Sequence, residues 1–360
     1  NMSNKFKNII VSVLFLTILL LVFVLNILKP DTEISIAERR KLEQFPSFTF
    51  QNLFNGTFFS KFDNYANDQF ISRDNFRTAK AKLDLTLKGN YHNIYIKNDY
   101  LVEQTYPLSD ASVTNLTKKI TDIKNKYLAN NKIYFSIVPD KNYFVNDNNL
   151  KMDYDLLESK MKENLDFATY IKILDKLDLT DYYKTDSHWK QENIQKVADE
   201  LLKGMNNYTS SSYNVENIAK FKGTYAYRVP VNTDFDEINI MTNDILKNAR
   251  VFNYTTNTYT NVYDLNKKNS LDKYDIYLSG ATPLLTIYND KNTSGKELII
   301  FRDSYGSSLA PLLLSSYSKI TLVDTRYISP TILGNYIDFS NKDVLFIYSI
   351  SIINNSYSLK

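Results

Sequence analysis

Glu297-Leu298-Ile299-Ile300-Phe301-Arg302-Asp303-Ser304-Tyr305-Gly306 is the stretch on which the reading of the fold turns. Its first half is an unbroken apolar run of strand length, the pattern of a strand buried on both faces. Small and polar residues then end the run, and helical periodicity follows from Tyr305 to Ser316. The same rhythm recurs on either side. Lys319 to Val323 and Val344 to Ser349 read as further strands, and Lys132 to Val138 is a compact strand closed by Pro139 and Asp140. Ser109 to Asn130, Asp153 to Leu165 and Gln191 to Met205 carry helical spacing. Strands alternating with helices define an α/β class, a parallel sheet flanked by helices.

In such a sheet, ligands bind beyond the carboxyl ends of the strands. Ser304 falls at that position, where a hydroxyl is exposed at the switch from strand to helix. Gly306 lets the backbone turn tightly, and main-chain N–H groups at the helix start are placed to receive a developing oxyanion. The competing reading makes Ser304 a plain helix N-cap, the commonest use of a serine before an apolar helix.

A nucleophilic serine needs a base, and the chain has only two histidines. His188 lies in Thr185-Asp186-Ser187-His188-Trp189, beside the single tryptophan and two residues after a carboxylate. A neutral imidazole accepts a proton near neutral pH, and an adjacent carboxylate fixes its tautomer and stabilises the imidazolium. This stretch is expected to open the helix beginning near Gln191, where the positive end of the helix dipole favours a neutral imidazole. Trp189 is either a platform for a sugar ring or a packing anchor behind the histidine. Arg302, Asp303, Tyr305 and Arg326 are candidates to line the site, although charges at strand ends are often simply paired or solvated. His92 has no companions in sequence and reads as a turn residue.

Composition narrows the function classes. A net charge of +3, with basic and acidic residues interspersed, gives no footprint for nucleic acid. With no cysteine there is no thiolate, no disulfide and no cysteine metal site, and two distant histidines argue against zinc. No cofactor or metal is expected.

Ile9 to Leu28 is apolar except for Ser12, Thr17 and Asn26, and as a helix would span about 30 Å, the thickness of a bilayer core. Lys5 and Lys7 precede it, while Asp31 and Glu33 follow. The positive-inside rule then puts the short N-terminus in the cytoplasm and the rest outside. No small-x-small cleavage site follows the apolar run, so an uncleaved signal anchor is expected rather than a removed signal peptide. The chain divides into residues 1–30, the cytoplasmic stub and anchor; 31–90, a membrane-proximal linker and helical segment; and 91–360, the α/β domain. Within the last, 206–290 loses helical periodicity, is rich in Tyr, Thr and Asn, and reads as a β-rich insertion. Tyr225, Tyr227, Tyr254, Tyr259 and Tyr263 there are open to either strand packing or stacking on sugars.

Asp186-Ser187-His188-Trp189, followed downstream by Arg302-Asp303-Ser304-Tyr305-Gly306, resembles the bacterial DHHW protein family, itself similar to the alginate O-acetylation proteins AlgJ and AlgX. The likeness extends to Glu38-Arg39-Arg40-Lys41-Leu42 with Pro46, to Asp68-Gln69-Phe70-Ile71-Ser72-Arg73, and to Val323-Asp324-Thr325-Arg326-Tyr327. Ser187 stands where the family name has its first histidine. The resemblance implies an SGNH-hydrolase-like, flavodoxin-type fold, with Ser304 as nucleophile, His188 as general base and Asp186 as its orienter. It implies O-acetyl transfer to a secreted or cell-surface polysaccharide, with the acetyl group supplied by a membrane-bound O-acyltransferase partner. A carbohydrate acetylesterase and a non-catalytic polysaccharide-binding or scaffold protein are the alternatives.

Overall fold

The computed structural model describes residues 4–360, which form two units. The first runs up to Tyr91 and includes Tyr227–Asn232; the second comprises His92–Ala226 and Thr233–Lys360.

The first unit begins with helix α1 (Asn4–Leu28), apolar from Ile9 onward apart from Ser12, Thr17 and Asn26, and long enough to cross a membrane. Its polar side chains do not break it. Thr17 and Asn26 donate to the carbonyls of Val13 and Val22, one turn back, so each satisfies itself within the helix. A two-residue strand pair, β1 (Ile34–Ser35) and β2 (Arg40–Lys41), replaces the expected linker. Helices α2 (Phe50–Phe54), α3 (Thr57–Asp68) and α4 (Arg73–Lys88) follow. Thr49 caps α2 through its side chain, and α4 ends on Gly89 in the left-handed conformation that glycine tolerates.

The second unit opens with a hairpin, β3 (Ile94–Lys97) and β4 (Tyr100–Glu103), turned through Asn98 and Asp99 at positive φ. Helix α5 (Asp110–Tyr127) leads to β5 (Lys132–Val138), then α6 (Lys141–Phe144), α7 (Tyr154–Asn164), β6 (Thr169–Tyr170) and α8 (Gln195–Gly204). Next come β7 (Asn214–Phe221), α9 (Thr224–Arg228), β8 (Asp236–Thr242), α10 (Asp244–Asn248), β9 (Arg250–Asn253), β10 (Thr258–Thr260) and β11 (Leu284–Tyr288). The chain closes with β12 (Glu297–Arg302), α11 (Tyr305–Leu313), β13 (Lys319–Val323), β14 (Asp343–Ser349) and α12 (Ile350–Ile353).

The main sheet has the order β10-β9-β11-β13-β12-β14-β5-β6. From β13 to β6 every pairing is parallel, while β11, β9 and β10 add to one side antiparallel. It is an α/β sheet, parallel over most of its width and flanked by helices. The strand at its centre, β12, alternates between two cores. Leu298 and Ile300 pack with α8 and α11, whereas Ile299 and Phe301 pack with α5 and α7. Burial on both faces is what an unbroken apolar run demands.

The Tyr-rich segment is not one appended block. The β7–β8 hairpin forms a sheet of its own, but β9, β10 and β11 extend the main sheet. Strands of three to five residues, divided by turns and short helices, carry too little alternation to reveal which sheet they join.

Candidate active site

β12 delivers Ser304 at its carboxyl end, immediately before α11. The N-cap alternative does not describe what the hydroxyl does. Ser304 has helical dihedrals and makes no capping bond; Asp303 Oδ1 instead accepts from the Tyr305 N–H at 3.0 Å. Asp303 Oδ2 accepts from the Ser349 N–H at 2.7 Å, which ties the turn to the end of β14. The hydroxyl faces His188, with Nε2 at 2.7 Å from Ser304 Oγ. That is hydrogen-bond distance.

His188 is held from several directions. Its Nδ1 lies 2.6 Å from Asp186 Oδ1, which also accepts from the His188 N–H at 3.1 Å. The other carboxylate oxygen accepts from the N–H and hydroxyl of Thr224, at 2.8 and 3.1 Å. Burial alone would raise the Asp186 pKa, but the imidazole and these hydrogen bonds outweigh it and hold the carboxyl well below its usual range. The ring of Tyr274 lies flat on the imidazole, with centroids 3.8 Å apart and planes 13° from parallel. Tyr305 flanks the ring from 4.8 Å and donates its hydroxyl to the Ser187 carbonyl at 2.6 Å.

The backbone beneath the histidine is fixed by a second carboxylate. Asp236, on β8, accepts from the Lys184 N–H and from both the N–H and hydroxyl of Thr185. Trp189 bridges back to Tyr182, so the stretch is a tight two-stranded turn. The expected placement of the histidine at the start of a helix is not what the chain adopts. A 3-10 turn at Gln191–Asn193 intervenes and α8 starts only at Gln195, so the histidine turn does not open that helix.

The remaining sequence candidates take the packing or pairing alternatives rather than lining the site as ligand contacts. Trp189 is fully buried and donates to Ser308 Oγ at 2.9 Å, leaving no ring face for a sugar. Arg302 is also buried, donating to the Asp303 carbonyl and Ser307 Oγ and lying 3.5 Å from Asp324; it supports the turn from below. Arg326 makes a two-pronged contact with Asp324 at 2.9 and 2.6 Å. Tyr305 braces the histidine turn and is itself buried. Gly306 is not needed for a left-handed turn; a Cβ there would meet the Arg302 stem at 2.8 Å. The expected oxyanion donors are partly engaged as well, since Tyr305 N–H and Gly306 N–H both go to Asp303. Among the five tyrosines singled out, Tyr225 is buried and Tyr263 donates to the Met241 carbonyl, while Tyr259 is the most open. His92 sits in a turn at positive φ.

Four contributors carried no readable sequence signal: Tyr274, Thr224, Asp236 and Lys141. Lys141 follows β5, and its ammonium donates to the Tyr183 and Lys184 carbonyls at 3.0 and 3.3 Å, just before the histidine turn. Burial pushes its pKa down to about 7 against the pull of Asp186, Asp236 and Glu103.

An α/β sheet with a serine at the end of its central strand, hydrogen-bonded to a histidine that a D-x-H turn supplies, defines the class of this molecule. Among solved structures, the chain is similar to a DHHW family protein from Eubacterium siraeum at 18% identity and a TM-score of 0.59, covering 74% of this chain and 92% of that one. It is similar to Bacillus cereus PatB1, solved with a sulfonyl adduct, at 16% identity and a TM-score of 0.58, covering 72% and 95%. The O-acetyltransferase domain of Pseudomonas putida AlgJ matches more loosely, at 9% identity and a TM-score of 0.46 over 73% and 92%. No protein-family model matches the sequence, and no curated protein matches it either. The likeness to the DHHW protein and PatB1 is one of fold.

Proposed function

We propose that this protein is a membrane-anchored O-acetyltransferase that passes an acetyl group through an acetyl-serine intermediate to hydroxyls of an extracellular polysaccharide. The observation that carries the reading is the continuous chain of contacts from Asp186 through both ring nitrogens of His188 to Ser304 Oγ. Imidazole Nε2 takes the Ser304 proton as the oxygen attacks the acetyl carbonyl, and the donor leaves with that proton. A sugar hydroxyl then attacks the acetyl-serine and gives its proton to Nε2. The acetyl ester passes to the sugar and Ser304 is restored. Asp186 keeps the Nδ1–H in place and stabilises the imidazolium formed in each half-reaction. Tyr274 and Tyr305 hold the ring plane so that both steps use one geometry.

An apolar α1 suits an enzyme that meets its donor at the membrane, and a membrane-bound O-acyltransferase is the partner proposed to bring the acetyl group outward. No metal or cofactor enters the chemistry. The test uses the full chain in nanodiscs with an activated acetyl ester and an oligosaccharide acceptor. Acetylation of the sugar should outrun release of acetate, because a bound hydroxyl has a high effective concentration beside the acetyl-serine. Equal ester turnover by wild type and Ser304→Ala would remove the enzymatic reading; fast acetate release with no modified sugar would make the protein an esterase.

A further inference from the structure

The first unit carries an aromatic surface that the acetyl-transfer reading does not use. Phe45, Phe48, Phe50, Phe58, Phe59, Phe62 and Tyr65 form a chain of ring contacts, with neighbouring centroids 5.2 to 6.4 Å apart. Rings in such contact usually make a core, yet these are largely open. Phe50 is 73% exposed, and Phe54, on the same short helix, is 85% exposed. The pattern on α3 is amphipathic. Phe58, Phe62 and Tyr65 share one face at helical spacing, and Ser60, Asn64 and Asn67 occupy the other. An exposed apolar patch of this extent marks an interaction surface.

What covers it is indicated by how the patch is tied down. The Tyr65 hydroxyl donates to Asp31 Oδ1 at 3.0 Å, three residues after α1 ends. Ile71 N–H donates to Asn26 Oδ1 at 2.8 Å, in the last turn of α1. Lys29 donates to the Gln69 carbonyl at 3.2 Å, and the Gln69 amide exchanges bonds with Thr32 at 2.9 Å in each direction. These bonds fasten α3 and the start of α4 to the point where the membrane helix leaves the hydrocarbon. The apolar run from Ile9 to the end of α1 at Leu28 fills the roughly 30 Å of a bilayer core, so Lys29 to Asp31, just past its end, belongs at the head-group level. A rigid aromatic face fixed at that height meets lipid before anything else.

We infer that α2 and α3, with Phe45 and Phe48, form an in-plane membrane-docking surface that rests on the outer leaflet of the bilayer crossed by α1. Its apolar face enters the boundary between head groups and acyl chains by about 5–10 Å, as amphipathic interfacial helices do, and phenylalanine supplies the area without a buried polar group. The docking rests on α1 being the anchor. It goes beyond the catalytic reading, because it makes the first unit a second, shallow contact that limits tilting of α1.

The chain has one tryptophan, Trp189, fully buried in the second unit, so fluorescence provides a clean test. Full-length Leu16→Trp, Phe54→Trp and Asn67→Trp are placed in nanodiscs containing lipids brominated on the upper or the terminal part of the acyl chains. Leu16→Trp, in the middle of α1, should be quenched best by terminal bromines. Phe54→Trp should be quenched several-fold more by upper-chain bromines than wild type, and Asn67→Trp no more than wild type. Substitution at so exposed a ring leaves folding untouched, which circular dichroism checks. Quenched Leu16→Trp with Phe54→Trp at the wild-type level overturns the docking surface while the anchor stands, and leaves a protein partner as its occupant. Equal quenching of Phe54→Trp and Asn67→Trp overturns the one-sided geometry. An unquenched Leu16→Trp overturns anchor and docking together.

Discussion

His188 holds one ring nitrogen against a carboxylate and the other against a hydroxyl, so single substitutions should separate orientation from proton transfer. Ser304→Ala and His188→Ala should each bring acetyl transfer to background. Asp186→Asn should fold and lose about 10³- to 10⁴-fold in kcat, because the amide cannot hold the tautomer that leaves Nε2 free to accept. Initial rates with an acetyl ester, alongside melting curves, check all three. A different residue sets a stability trend. The Lys141 pKa falls from 10.5 to about 7 on folding. Between those values the unfolded chain binds the extra proton, so stability rises with pH; the contribution is fully present above the unfolded pKa and is lost as pH falls to about 7. Its slope is at most about 1.4 kcal/mol per pH unit. Lys141→Met should therefore flatten the rise in Tm between about pH 7.5 and 9.5, below the range where buried tyrosines reverse the trend. Parallel Tm curves for the two proteins would exclude a buried, titrating Lys141.

At the scale of elements, the site depends on close packing of one glycine against the histidine turn. A Cβ at Gly223 would lie 2.2 Å from the Asp186 Cβ and 2.6 Å from its Cα, so backbone must move. Gly223→Ala should cost about 1–3 kcal/mol of stability through overpacking and at least about 10²-fold in kcat, since it displaces the carboxylate that Thr224 and His188 share. An active, fully stable Gly223→Ala protein would contradict the packing drawn here. What the sequence revealed follows the same division between local and long-range terms. β5 and β12 were legible because doubly buried strands are predominantly apolar, and Ser304 because a strand-to-helix switch is a local event. Asp186 and His188 were legible as a pair two residues apart. Tyr274 was not, being one of 28 tyrosines and brought to the imidazole only by tertiary folding. The placing of β11 beside β13, and of β9 beyond it, was equally hidden, because strand order is decided by long-range pairing and not by the pattern within either strand.

For the whole molecule, orientation in the membrane decides which substrates the serine can meet. Lys5 and Lys7 lie at the start of α1, while Asp31 and Glu33 follow its end. Positive charge is retained on the cytoplasmic side, so the N-terminus should stay inside and everything beyond Pro30 should emerge. In that orientation Ser304 would meet a polysaccharide hydroxyl outside the cell and not a cytoplasmic acetyl donor, which is the arrangement the proposed acyltransferase partner is meant to serve. Protease added to intact, wall-stripped cells should degrade the chain beyond α1 and leave a membrane-embedded N-terminal fragment. Moving the charge should move the domain. Replacing Lys5 and Lys7 with glutamate while adding lysines after Pro30 should shelter a growing share of the chain from protease and reduce acetylation of surface polysaccharide in step. Protection of the wild-type chain until the membrane is broken would reverse the orientation, and with it the assignment of an extracellular acceptor.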